Sequence, residues 1–245
     1  MLHEASPYPD PGPSRDNPVE RELEDFIYIV SHDMAASVRH VTEFSRLLIN
    51  DLGDSLTPRQ RSFAARVLTT GERSQEMLEQ LLAFSRVQQK PLAPAPQDAT
   101  HQMKIACLKL SSHIHVAHAD VRLEPLGTVV ADPDLLELVF HHLLDNAIKF
   151  SRPGVEPRVD VSVSETSRWW ILRIADNGQG VPPEYREKAF RMFQLLHPEG
   201  VYPGQGVGLT LCRRIARRHG GDIRFIDQAA GACVEVTLPQ AGSVS

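Results

Sequence analysis

Cysteine is scarce in this chain. Cys107, Cys212 and Cys233 are odd in number, widely spaced and free of Cys-x-x-Cys pairs. That gives no sign of a disulfide framework and fits small, reduced, buried thiols in a cytoplasmic protein. Long apolar runs are missing too: none approaches the roughly 18 residues that suggest a membrane-spanning helix. The first residues lack the basic-then-apolar order of a secretory signal. Positive charge is not in excess either. With 26 Lys and Arg against 31 Asp and Glu, the net charge is −5, so electrostatics gives no case for a nucleic acid or an anionic membrane as main partner. No internal repeat is visible. What is present is ordinary globular composition, 42% hydrophobic and 23% charged over 245 residues, enough for one large or two modest domains.

Residues 1–18 are polar and proline-rich, which predicts a disordered tail. From Val19 the pattern changes. Leu23, Phe26, Ile27, Val30, Met34, Val38, Val41, Phe44 and Leu48 recur at steps of three and four, one stripe of an amphipathic helix. Turn formers follow at 51–56. Thr57, Pro58 and Gln60 then give a helix start with a capping box, and a second stripe runs from Phe63 to Ser85. Residues 19–89 thus predict an antiparallel helical hairpin. One hairpin buries one face of each helix, so pairing two into a four-helix bundle is the natural completion, giving a homodimer. The alternative is a hairpin docked on the chain's own second domain.

Residues 90–97 alternate proline with small residues and predict a semi-rigid linker. Over 98–240 the pattern is mixed: helices near 98–115, 133–150 and 207–219, with strands near 120–125, 157–165, 169–176, 222–227 and 232–238. Such an order gives an α+β fold, a two-layer sandwich of helices on a mainly antiparallel sheet. Residues 241–245 form a short tail. Trp169 and Trp170 alternate across one strand, which predicts one in the core and the other facing out.

Four motifs carry the chemistry: Ser31-His32-Asp33; Leu144-Asp145-Asn146-Ala147-Ile148-Lys149-Phe150; Asp176-Asn177-Gly178-Gln179-Gly180; and Gly204-Gln205-Gly206-Val207-Gly208-Leu209. A neutral imidazole is a good nucleophile, and the neighbouring Asp33 carboxylate can orient His32 and take its other proton. The Asn146 amide oxygen is a hard, neutral donor suited to Mg²⁺. Lys149, three residues on, shares its helix face and can approach phosphate. A buried Asp176 carboxylate would accept from an exocyclic amine and so favour adenine over guanine, with Gly178 and Gly180 giving close backbone approach. Gly204, Gly206 and Gly208 before a helix can cradle phosphate. Singly each motif has a plainer reading: a surface histidine, a polar helix face, a hairpin turn, a flexible loop.

In this order and spacing the four resemble the catalytic core of bacterial two-component sensor histidine kinases, nearest the phytochrome-like branch, over about residues 19–240. The resemblance implies a dimerisation and phosphoacceptor hairpin plus an ATP-binding domain. It implies that His32 takes the γ-phosphoryl group of ATP, with Asp33 as general base, and passes it to an aspartate on a separate response regulator. It makes Asn146 the Mg²⁺ ligand, Lys149 a phosphate contact and Leu209 part of the phosphate loop. Phe190 and Phe193 resemble the phenylalanine pair of the mobile nucleotide lid, which also holds Lys188, Arg191 and His197. No sensor domain fits into this length, so the expectation is that the input comes from a separate upstream sensor protein or that the chain is a fragment of a longer one.

Three positions depart from the family. Ala36 and Ser37 stand where it has Thr or Asn and then Pro, which predicts weak phosphatase activity. His142 stands where it often has a second Asn. These departures support an alternative, a degenerate dimeric scaffold or phosphotransfer protein. A water-activating ATPase of the same nucleotide fold would need a carboxylate beside Asn146, and Glu137 lies nine residues before it. His113, His115 and His118 suit neither helical nor strand spacing for a metal. The arginines of 213–218 read as a solvated helix face.

Overall fold

The structure, a computed structural model, describes residues 18–197, 202 and 204–240, with side chains of the first helix described from Ile29 onward. The tails expected at 1–18 (save Pro18) and at 241–245 lie outside those residues, as do the side chains of Leu23, Phe26 and Ile27. The chain divides into two compact units between Lys90 and Pro91.

The first unit is an antiparallel pair, α1 (Pro18–Leu52) and α2 (Pro58–Gln89), joined through a 3-10 turn at Gly53–Ser55. The capping box is formed: Thr57 Oγ1 accepts from the Gln60 N–H at 3.3 Å, and Gln60 Oε1 accepts from the Thr57 N–H at 2.8 Å. The helices approach through small residues. A Cβ at Gly71 of α2 would lie 2.3 Å from Thr42 Oγ1 of α1, so nothing larger than hydrogen fits there. Arg46 and Glu72 pair across the hairpin at 2.7 Å, each about half exposed. The apolar stripe read from the sequence is largely left outside this seam: Phe44 is 69% exposed, Val41 64% and Leu48 59%.

The second unit has a two-stranded antiparallel sheet, β1 (Ala95–Asp98) with β3 (Thr128–Ala131), and a five-stranded sheet. The latter runs β2 (Asp120–Leu123), β4 (Arg158–Glu165), β5 (Trp169–Asp176), β7 (Cys233–Pro239), β6 (Asp222–Ile226). All its pairs are antiparallel except β2–β4. Helices α3 (Ala99–Lys109), α5 (Pro133–Lys149) and α6 (Gly208–Arg218) supply the other layer, with α4 (Ser111–Ala117) following α3. The irregular proline stretch therefore ends at Pro94, since β1 begins at Ala95.

The core joins Leu136, Val139, Phe140, Leu143 and Leu144 of α5 and Leu211 and Ile215 of α6, all buried, to the sheet residues Trp170, Leu172, Val236 and Leu238. Register pairs Trp170 with Leu238 and Leu172 with Val236, so the large side chains line one face. The Trp170 indole N–H donates to the Leu126 carbonyl at 2.9 Å, satisfying its one polar group. Two expectations are corrected here. Trp169 is as buried as Trp170: the first four residues of β5 alternate between the two faces of the sheet and all four are buried. The helix expected over 98–115 is two, broken at Leu110, which leaves helical geometry (φ −94°, ψ 10°) without a glycine or proline to announce it.

Candidate functional site

Asp132 caps α5, its carboxylate accepting from the Leu135 N–H at 3.2 Å, with Pro133 next. From that fixed start the helix aims His142, Asn146 and Lys149 along one edge of its buried stripe, at spacings of four and three. The Lys149 side chain is only 18% exposed, and its Nζ lies 3.9 Å from Asp145 Oδ2, outside hydrogen-bond range. Burial pushes this amine below the usual lysine range, opposed by the Asp145 charge. The ammonium also sits 4.6 Å from the Phe150 ring centre. A half-buried cation so poorly paired has the chemistry to receive an anion. Asn146 is half-buried, and its side chain has no hydrogen-bond partner among the described residues. His142 packs on Gly208, where a Cβ would meet its Nδ1 at 3.3 Å. Burial drives its imidazole down to about 4, with His141 adding to the effect, so it is neutral at pH 7. Asp145 turns the other way, to His113 Nδ1 at 3.1 Å.

Asp176 ends β5 half-buried. Its Oδ1 accepts from the Gly178 N–H at 2.8 Å and the Ala232 N–H at 3.1 Å, which leaves Oδ2 as the oxygen for an external donor. Burial raises its carboxyl above the usual range, and the two backbone donors hold it back. Asn177 staples the loop, accepting from the Arg158 N–H and donating to the Glu156 carbonyl. The loop rides on the end of α5. The Gln179 N–H donates to the Phe150 carbonyl at 3.0 Å, and a Cβ at Gly178 would come within 2.4 Å of that same oxygen.

At Gly204, φ is +112° and a Cβ would lie 3.4 Å from Lys149 Nζ, so this loop meets the half-buried ammonium. At Gly206, φ is +73° and a Cβ would strike the Gln194 carbonyl oxygen at 2.7 Å. Gly208 opens α6, whose first turn carries no side-chain cap, leaving amide donors for an anion. Leu209 is half-buried beside it. Phe193 has φ +59°, unusual for a bulky residue, and its N–H donates to the Gly206 carbonyl. The Phe190 carbonyl accepts from Thr210 Oγ1 at 2.9 Å, in the first turn of α6. The Phe190 ring is buried between Phe225, 5.3 Å away, and the Arg213 guanidinium at 4.9 Å.

In the hairpin, His32 is exposed, with Nδ1 3.3 Å from Asp33 Oδ1. A carboxylate only accepts, so a hydrogen bond here uses the tautomer that carries its proton on Nδ1. Ser37 Oγ donates to the Asp33 carbonyl at 3.0 Å. The hydroxyl is spent on its own helix.

Residues 131–242 match the model of the histidine kinase-, DNA gyrase B- and HSP90-like ATPases. Cyanobacterial phytochrome A of Nostoc sp. strain PCC 7120 is 29% identical over 222 residues, 90% of this chain and 29% of that protein. The chain carries a sensor histidine kinase catalytic core. Full-length ShkA, solved with AMPPNP, shares the histidine kinase fold at TM-score 0.63 and 23% identity, over 90% of this chain and 47% of its own. ThkA, solved with the response regulator TrrA, gives TM-score 0.63 at 18% identity, over 92% and 65%. The chain thus spans 29% of the length of its phytochrome relative.

Sequence reasoning missed part of this histidine kinase core. Gly231, Ala232 and Gln228 surround Asp176 from the turn after β6, and only a glycine in a nondescript Ala-Ala-Gly-Ala stretch hinted at it. Phe150, His197 and Tyr202 form a ring cluster with centres 5.1–5.7 Å apart. Arg213, expected to be solvated, is largely covered and pairs with Asp222, whereas Arg217 makes the same pairing and stays exposed. The three cysteines are free thiols, as expected, with burial raising each. Among the described residues no cluster of metal-ligating side chains occurs, and no helix is long and apolar enough to cross a membrane.

Proposed function

We propose that this chain is an ATP-dependent protein histidine autokinase of the two-component type, phosphorylating His32. The observation that carries the reading is the half-buried Lys149 ammonium facing Gly204, on the same helix as the unpartnered Asn146 amide, in a unit that also presents the free oxygen of Asp176. The 98–240 domain supplies the nucleotide site and the 19–89 hairpin the phosphoacceptor. Asp176 Oδ2 would take the adenine amine. Lys149, the amides at Gly204, Gly206 and Gly208, and the Leu209 turn would take the phosphates. Phe190 anchors the following lid segment, and Phe193 tightens it against Gly206. The donor set suits Mg²⁺ held by Asn146, which would offset the charge of the triphosphate.

The transfer balances on this chain's own groups. His32 Nε2 bonds to the γ-phosphorus as the bond to the β–γ bridging oxygen breaks, and ADP leaves with that electron pair. Asp33 steadies the Nδ1 proton as positive charge develops on the ring, and accepts it afterwards. An aspartate on a separate response regulator would be the next acceptor. ThkA's complex with such a regulator supports this. The exposed Val41, Phe44 and Leu48 support a homodimer in which a second hairpin covers them. Ala36 offers no hydrogen-bonding side chain and Ser37 is already engaged, which supports weak phosphatase activity.

The test is incubation with γ-labelled ATP and Mg²⁺. The expected product is an acid-labile, alkali-stable label, absent in His32→Gln. No label on folded protein that still binds ATP would favour the second reading, a non-catalytic dimeric scaffold, for which the half-buried, neutral His142 beside Gly208 is the supporting observation.

A further inference from the structure

We propose that the turn between β6 and β7, residues 227–232, is the positioning device for Asp176, and that Gly231 and Gln228 thereby set the site's selectivity for a purine bearing an exocyclic amine. This rests on the nucleotide site proposed above and adds residues to it.

The turn grips Asp176 at three points. The Ala232 N–H donates to Oδ1 at 3.1 Å, and the Asp176 N–H donates to the Ala232 carbonyl at 2.8 Å. Gln228 reaches back to donate from Nε2 to the Asp176 carbonyl at 2.6 Å. Between these contacts lies Gly231, at φ +75°, where a Cβ would stand 1.9 Å from the Asp176 carbonyl oxygen and 2.8 Å from Oδ1. No side chain fits without moving the aspartate. The same turn explains Gly180. A Cβ there, also at φ +75°, would stand 2.7 Å from the Gly231 carbonyl oxygen. Its glycine makes room for the β6–β7 turn, where the sequence had suggested room for the base.

The consequence is orientational. With Oδ1 fixed by two backbone donors, the carboxylate is held so that Oδ2 alone meets the ligand, already desolvated by its half-buried setting. A hydrogen bond to a charged acceptor discriminates well only when its geometry is prepaid. The turn is also tied to the segment after Gly180: Arg186 donates to Asp227 at 2.8 Å and to the Val181 carbonyl at 3.3 Å. Gly231 and Gln228 are therefore positioning residues that act through Asp176.

The experiment is calorimetric titration of the full chain with ADP and with IDP, whose base has a carbonyl in place of the amine. Wild-type protein is expected to prefer ADP by about tenfold or more. Gly231→Ala should lose most of that preference while IDP affinity moves within about twofold, and Gln228→Ala should narrow the preference by about threefold. If Gly231→Ala does not fold, Gln228→Ala decides alone. Folded variants with the wild-type ratio, or with both nucleotides weakened equally, overturn the proposal. If wild-type protein binds neither nucleotide, the nucleotide site itself falls and this proposal with it. If Asp176→Asn loses the preference while the turn variants keep it, this proposal alone falls.

Discussion

The two units of this chain treat their apolar residues in opposite ways. In the α/β unit, Phe140 and Trp170 are wholly enclosed and the strand register brings large side chains into one layer. In the hairpin, the helices meet through Gly71 and Thr42 while Phe44 and Val41 face outward. The α/β unit has what it needs to stand alone. The hairpin holds an unspent apolar surface, and it is the unit that bears the exposed histidine. Binding asks for a preorganised interior, whereas a phosphoacceptor must be presented to other molecules.

Matched truncations separate the two most sharply. Phe140→Ala is expected to cost the α/β unit about 3–5 kcal/mol, read as a lower denaturant midpoint for that unit with the hairpin unaffected. Phe44→Ala is expected to cost within about 0.5 kcal/mol inside one chain but to weaken self-association, read by sedimentation. An equal loss of folding stability from both would erase the contrast. A smaller effect probes the hairpin seam. Gly71→Ala should destabilise by about 1–3 kcal/mol through the Thr42 clash, with partial rescue by Thr42→Ala in a double-mutant cycle. Simple additivity would mean that the seam is not close-packed.

The least of these effects concerns pH. Burial lowers His142 to about 4 in the folded chain, while an unfolded histidine titrates near ~6.5. The unfolded state therefore binds the proton first as pH falls. The stability from the neutral imidazole is complete above about pH 6.5 and is lost on descending towards about 4. Thermal melts should show a loss of about 1–3 kcal/mol over that window, flattened in His142→Asn. An unchanged slope in the variant would assign the pH dependence to other groups.

Much of this was legible in sequence for a physical reason. Asn146, Lys149 and the capped helix that carries them depend on spacing along one element, and spacing is what a sequence records. The same holds for the Thr57–Gln60 cap and for His32 beside Asp33. What escaped depends on residues far apart in the chain. Gly231 matters because its backbone lies against Asp176, 55 positions earlier. The β1–β3 pair joins segments that look like a linker and a loop. Trp169 is buried because both faces of the sheet are covered at the start of β5, which local alternation does not show. Phe190 reads as a lid residue from its neighbours, yet it is fixed by Phe225 and Arg213 from a later helix and strand.

The most direct measurement of the division between units pairs two variants in one assay, ATP binding by titration alongside transfer of label from γ-labelled ATP. His32→Gln should bind ATP as the wild type does and take no label. Asp176→Asn should bind at least about tenfold more weakly and lose label in proportion. Label appearing in His32→Gln, or full labelling of Asp176→Asn, would contradict the account.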